Sequence, residues 1–173
     1  DESALAASWL ADQFVDGTHL LGFDGSADPA NTIDGILALY EAGVGGDVAD
    51  QATQWVVNQA PEFVTNPGSA GRAAILADVA DIDPTNFGGV NLVEQMNGEL
   101  GDLTTNPYAL GLLVLGLESS EAEVPQNVLD ALLATQEQAG SFGYTGFGTD
   151  LDATAMAVQA LASIDDDPAA DAA

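Results

Sequence analysis

"PYALGLLVLGLES", Pro107 to Ser119, is the stretch on which the fold class turns. From Ala109 to Leu117 it contains only Ala, Gly, Leu and Val, so a helix through it has no polar face to offer water. Such a helix is buried on most of its sides. It therefore needs other helices around it, and the flanking sequence supplies them.

Working outward, "SALAASWLADQFV" places Leu5, Trp9, Leu10 and Phe14 on one helical face. "TIDGILALYEAG" does the same with Ile33, Ile36, Leu37 and Tyr40 and ends at Gly43, a natural C-cap. "DVADQATQWVVNQ", "SAGRAAILADVADI", "VNLVEQMNGEL", "PQNVLDALLATQEQ" and "LDATAMAVQALASI" complete a set of eight helical segments with no convincing strand. The segments are separated by breakers: "GVGG", "NPGSAG", "DPTNFGG", "TTNP" and "AGSFGYTGFGTD". Amphipathic helices with aromatics alternate with helices rich in Ala, Gly and Leu. The second kind reads as an inner ring and the first as an outer one. The inner helices start near Thr32, Ser69, Asn106 and Asp150, at intervals of 37, 37 and 44 residues. Intervals of that size indicate helix-hairpin repeats.

Composition restricts function. The 173 residues hold 28 acids against one Arg, no Lys and one His, a formal net charge of −27, while 47% are hydrophobic. That apolar share is enough for a core, and disorder is not expected. Nucleic acid and anionic membrane surfaces would be repelled. The acids are scattered along the chain, as suits a solvated exterior in a salty or extracellular medium. Without cysteine there is no disulfide framework, no thiolate nucleophile and no Cys-based zinc site. No apolar run is long enough to span a bilayer, so membrane insertion is not expected. Residues 1–20 lack a basic start and a cleavage-site pattern, which fits either a cytosolic protein or a mature chain whose signal is gone.

"LLATQEQAGSFGYTGFGTDLDATAMAVQALA" resembles the repeats of the terpenoid cyclase and protein prenyltransferase superfamily, with Gln136 and the Gly140-Ser141-Phe142-Gly143 turn similar to its QW motif. "GRAAILADVADIDPTNFGGVNLV" and "DLDATAMAVQALA" look most like secreted actinobacterial proteins that contain prenyltransferase and squalene oxidase repeats. The resemblance implies an all-α fold, an α/α toroid of helix hairpins. Closed rings of this kind have six hairpins and about four are visible here. Residues 1–173 then read as one toroid domain, the N-terminal part of a larger ring, with a fifth outer helix due to begin at "DDDPAADAA". The family also favours the mature secreted chain, and so an extracellular or cell-surface location.

Asp150-Leu151-Asp152-Ala153-Thr154-Ala155 resembles the acid motif of class II terpene cyclases, whose middle acid protonates an alkene or epoxide. That role would pass to Asp152, with Asp150 beside it, although Ala153 stands where the motif has its last acid. The alternative reading is a capping box, Thr149 with Asp152, in an ordinary first helical turn. Cyclisation also needs aromatic faces around a carbocation in a dry cavity, and the inner helices offer Tyr40 and Tyr108 among small aliphatics. His19 in "DGTHLLGF" reads as structural or solvated. The prenyltransferase branch, as the family implies, binds zinc through Asp, Cys and His, and this chain has no Cys. "DGSAD" and "DIDP" read as solvated turns, so no metal site and no cofactor is expected. The α/α toroid of cobalamin carriers is similar at a few positions of "DATAMAVQALA", a likeness of scaffold. Arg72, the single cation apart from the chain terminus, reads as a clamp at the mouth of the ring or as a contact for an anionic ligand. The candidate binding residues are Arg72, Asp34, Tyr108 and Thr154. The expected function is a secreted, non-catalytic toroid domain that binds a small molecule or protein, or assembles head to tail with its own copies. The alternative is a class II cyclase-like fragment that uses Asp152.

Overall fold

The structure, a computed structural model, describes residues 2–165. The fifth outer helix expected in "DDDPAADAA" falls on 166–173, outside the described residues. Among the described residues there are eight α-helices: α1 Glu2–Ala11, α2 Pro29–Ala42, α3 Gly46–Phe63, α4 Pro67–Val79, α5 Leu92–Met96, α6 Pro107–Ser119, α7 Gln126–Ala134 and α8 Leu151–Asp165. Short 3-10 turns cover Pro84–Asn86 and Gly101–Thr105, and one antiparallel pair, β1 Gly143–Tyr144 and β2 Gly148–Thr149, lies in the loop before α8. The fold is all-α. No described helix is long and apolar enough to cross a membrane.

Contacts group the chain into two compact units, Asp1–Thr65 with Leu76–Asn91, and Asn66–Ile75 with Leu92–Ala173. In the first unit α2 packs against α1 and α3. Its core includes Phe14, Ile33, Ile36, Leu39, Val56 and Phe87. In the second unit α6 is central and meets α5, α7 and α8. Leu110, Leu113, Val114 and Leu117 are fully buried, which is the physical outcome expected of a helix without a polar face.

The close packing of this second unit depends on glycine. A Cβ on Gly71 would run into the carbonyl oxygen of Leu112 and come within 2.7 Å of the Leu113 Cα, and one on Gly116 would strike the Gly71 backbone. Helices α4 and α6 therefore touch backbone to backbone. Gly111 also brings α8 near, though less closely, since a Cβ there would meet Met156 Cγ at 2.6 Å and the Met156 backbone at 3.2 Å.

One N-cap recurs four times. Asp28, Asn66, Asn106 and Asp150 each accept a hydrogen bond on Oδ1 from the N–H three residues on, at 3.0, 3.0, 3.0 and 2.8 Å. The cap satisfies one orphan donor of the first turn and fixes where α2, α4, α6 and α8 begin. Three of the caps are followed by Pro, whose missing N–H is no loss at that position.

Several sequence expectations change. The apolar face read through Leu5, Trp9, Leu10 and Phe14 does not hold as one helical stripe: α1 stops at Ala11, Leu5 is 72% and Trp9 65% exposed, and α1 buries only the small Ala7. Phe14 does reach the core, but from the loop, where it packs with Leu20 over Gly35. The helix expected over "VNLVEQMNGEL" shrinks to Leu92–Met96, because Gly98 and the Gly101 turn break it. The capping box of Thr149 with Asp152 is also displaced. Asp150 is the cap, and the Thr149 hydroxyl pairs with Ser141 Oγ at 2.9 Å. Finally, "no convincing strand" gives way to the β1–β2 ribbon, whose tight turn the glycines at 146 and 148 permit with φ of 85° and 80°.

Candidate functional site

The most concentrated set of chemistry-bearing side chains lies in the second unit, at the starts of α6 and α8 and on α4. The caps at Asn106 and Asp150 set the register. Tyr108 therefore sits in the first turn of α6 and Asp152 in the first turn of α8. Arg72, one turn into α4, lays its guanidinium over the Tyr108 ring, 5.6 Å from the centroid, and its Nη2 makes a long hydrogen bond of 3.4 Å to the Tyr108 hydroxyl. This is the geometry of a cation–π contact.

Tyr144, on β1, belongs to the same cluster. Burial raises its phenol above the ordinary value of 10.0, and the charge of Asp150, the Tyr108 phenol and the charge of Asp152 raise it further. A phenol held neutral among carboxylates is a persistent hydrogen-bond donor. The cluster thus presents a guanidinium stacked on one tyrosine, a second tyrosine as donor, and two carboxylates.

The expected site residues divide. Arg72, Tyr108, Asp150 and Asp152 are brought into this neighbourhood. Asp150 has a structural task as well, since its carboxylate caps α8. Asp152 is exposed to solvent, so water would quench any carbocation formed beside it. Ala153, where the cyclase motif has its last acid, is fully buried, so a carboxylate there would lose its hydration. Thr154 is a clasp: its hydroxyl donates to the Asp150 carbonyl at 2.7 Å, accepts from the Phe142 N–H at 3.0 Å and lies 3.1 Å from the Phe142 carbonyl. Asp34 lies in the other unit, on the exposed side of α2. There it lines a groove of about 600 Å³ with Trp9, Leu10, Gln13, Leu20, Leu21 and Asn31.

Sequence reasoning missed Tyr144 because it lies in a glycine-rich loop that looked like a connection. The available signal was the aromatic spacing in "FGYTGF" just before the acids of α8. It also missed that Thr32 duplicates Thr154. Thr32 Oγ1 accepts from the Leu20 N–H at 2.9 Å and donates to the Asp28 carbonyl at 2.6 Å. The same backbone bond closes both loops, Asp28 N–H to Leu20 O at 2.9 Å and Asp150 N–H to Phe142 O at 3.0 Å.

Residues outside the cluster have local roles. His19 stacks on Trp55 at 4.9 Å and pairs through Nδ1 with the Thr18 hydroxyl at 2.9 Å. In "DGSAD" and "DIDP", Asp24 and Asp83 hold Ser26 and Thr85 by both backbone N–H and hydroxyl, at 2.6 to 2.9 Å. Those bonds favour the charged carboxylates and lower both acids from the ordinary 3.8. The Gln136 amide donates to the Gly140 carbonyl at 3.0 Å and closes the turn likened to a QW motif. Among family models, curated proteins and solved structures, none matches this chain.

Proposed function

We propose that this chain is a non-catalytic helix-hairpin repeat domain of the α/α-toroid kind, secreted or displayed at the cell surface, that works by binding or assembly. The observation that carries the reading is the packing behind Asp152. On the core side of α8, Ala153, Met156, Ala157 and Ala160 lie against α6, and Gly111 sits directly on Met156. A polyprenyl substrate needs an aromatic-lined cavity there, and small side chains fill that side of the helix. The repeat part of the reading is supported by the four equivalent caps and by the paired clasps of Thr32 and Thr154. The exterior location is supported by the scattered acids.

The Arg72, Tyr108, Tyr144 and Asp152 cluster is the proposed polar contact surface. Its donors and acceptors recognise a ligand without a step of bond making. The test is direct. The purified chain is incubated with squalene and with geranylgeranyl diphosphate, alongside Asp152→Asn, and products are identified by mass spectrometry. No cyclised product is expected from either protein. A cyclised product from the parent that disappears in Asp152→Asn would establish the cyclase alternative.

A further inference from the structure

The groove of about 600 Å³ in the first unit is lined by residues of α1, of α2 and of the loop that joins them. Its volume falls within the about 300–1,000 Å³ of small-molecule sites. The chain itself covers α2 at Gly35, where a Cβ would meet Leu20 Cδ1 at 2.8 Å and Phe14 Cζ at 2.9 Å. The groove therefore has an apolar back.

Its walls are held in place by the chain's own hydrogen bonds. The Leu20 N–H donates to the buried Thr32 hydroxyl at 2.9 Å, and Leu21 forms an antiparallel bridge with Ala27. The Gln13 side-chain amide donates to the Trp9 carbonyl at 3.0 Å, and the Asn31 N–H is fixed by the Asp28 cap at 3.0 Å. A site whose walls are already placed loses less ordering entropy on binding.

Two kinds of surface meet in the groove. Trp9 is 65% and Leu21 48% exposed, and with Leu10 and Leu20 they make an apolar side. Gln13, Asn31 and Asp34 make a polar side of amide donors and of carbonyl and carboxylate acceptors, all three exposed. An anion entering here would meet a carboxylate and, among the described residues, no cation in the lining, on a chain of formal charge −27. A purely apolar ligand would strip water from three polar side chains without replacing their hydrogen bonds. A small ammonium is held best by a caging set of aromatic faces and an unshared carboxylate. Here Trp9 is the one aromatic among the described lining residues, and Asp34 already has a partner within the protein.

A neutral saccharide meets each condition. The C–H face of a sugar ring carries partial positive charge and stacks on the electron-rich face of an indole. Its hydroxyls both donate to and accept from side-chain amides. We infer that this groove binds a neutral saccharide, with Trp9 as the stacking platform and Gln13 and Asn31 as the hydroxyl contacts. The site uses residues of the first unit alone and goes beyond the polar cluster around Arg72.

Isothermal titration calorimetry of the 173-residue chain with maltotetraose, cellotetraose and tetra-N-acetylchitotetraose tests this. At least one of them should bind with a Kd of about 1 mM or tighter. Its affinity should be the same at about 0.15 M and about 1 M NaCl, because a neutral ligand has no charge to screen. Trp9→Ala and Asn31→Ala, both at exposed positions, should each weaken that binding at least about tenfold. Trp9→Phe keeps an aromatic face and should retain most of the affinity. Helical circular dichroism should be unchanged in all three variants. Failure of every saccharide to bind at about 10 mM overturns the inference. Binding that Trp9→Ala leaves unchanged overturns it as well, since the sugar would then lie elsewhere. Benzylammonium is the opposing probe: if it alone binds, and is released by salt, the groove is a cation site. The failures are separable, because loss of this site leaves the non-catalytic reading standing, and turnover of a polyprenyl substrate leaves this site standing.

Discussion

Thr32 and Thr154 hold equivalent clasps. Each accepts from a backbone N–H twelve residues earlier, at Leu20 and Phe142, and each donates to the carbonyl of the capping acid four residues earlier. The clasp pins the loop that precedes the helix onto its first turn. Thr32→Val and Thr154→Val keep the shape and remove the hydroxyl, leaving a backbone N–H without its partner. Each should lower stability by about 1–3 kcal/mol. The fully buried Thr32 should lie at the upper end and the half-buried Thr154 at the lower, as read by urea unfolding.

Gly71 is irreplaceable by the same measure that makes Gly46 ordinary. Gly71→Ala forces two helix backbones apart and should cost about 3 kcal/mol. Gly46, at the start of α3, has nothing within 4 Å of its missing Cβ, and Gly46→Ala should stabilise by about 0.4–1 kcal/mol through the unfolded state. Equal effects in thermal unfolding would contradict the backbone contact between α4 and α6.

The two acids before and within α8 should separate on mutation. Asp150→Ala removes the cap on Ala153 and should cost about 1 kcal/mol. Asp152→Asn alters only a first-turn charge and should cost at most about 1 kcal/mol, screened by salt. A larger loss for Asp152→Asn than for Asp150→Ala would reverse the assignment of the cap.

Tyr40 and Tyr144 should ionise late. Burial raises the Tyr40 phenol first, and its hydrogen bond to Asp50, 3.0 Å long, adds to this, while Thr53 opposes it. Tyr144 is raised for the reasons given above. A raised folded value means the native state holds its protons longer than the unfolded state. The associated stability is therefore complete below the ordinary value of 10.0 and is lost as pH climbs from there through the folded values. Absorbance titration near 295 nm should show ionisation steps above 10.0 for Tyr40 and Tyr144, and Tyr144→Phe should remove one of these late steps.

Salt should stabilise the fold. Self-repulsion among 28 acids is screened as the Debye length falls from about 30 Å at 0.01 M to about 3 Å at 1 M. The midpoint of thermal unfolding should rise across that range, and a flat or falling midpoint would count against it.

The sequence alone determined that the chain is helical, where its breakers lie, that Gly43 ends α2 and that the helix at Pro107–Ser119 is buried on most of its sides. These follow from local spacing and from backbone preferences that neighbours a few residues away decide. The tertiary structure decided the rest. Leu5 and Trp9 have the spacing of core residues and yet face water, because α1 meets α2 through Ala7 and the Phe14 that fills the core arrives from the loop. Asp150 rather than Thr149 became the cap because the β1–β2 ribbon draws Thr149 onto Ser141. Tyr144 joined Tyr108 and Arg72 because the same ribbon folds back beside α8. No pattern along the chain encodes such meetings, since each depends on which distant surface a short segment lands against.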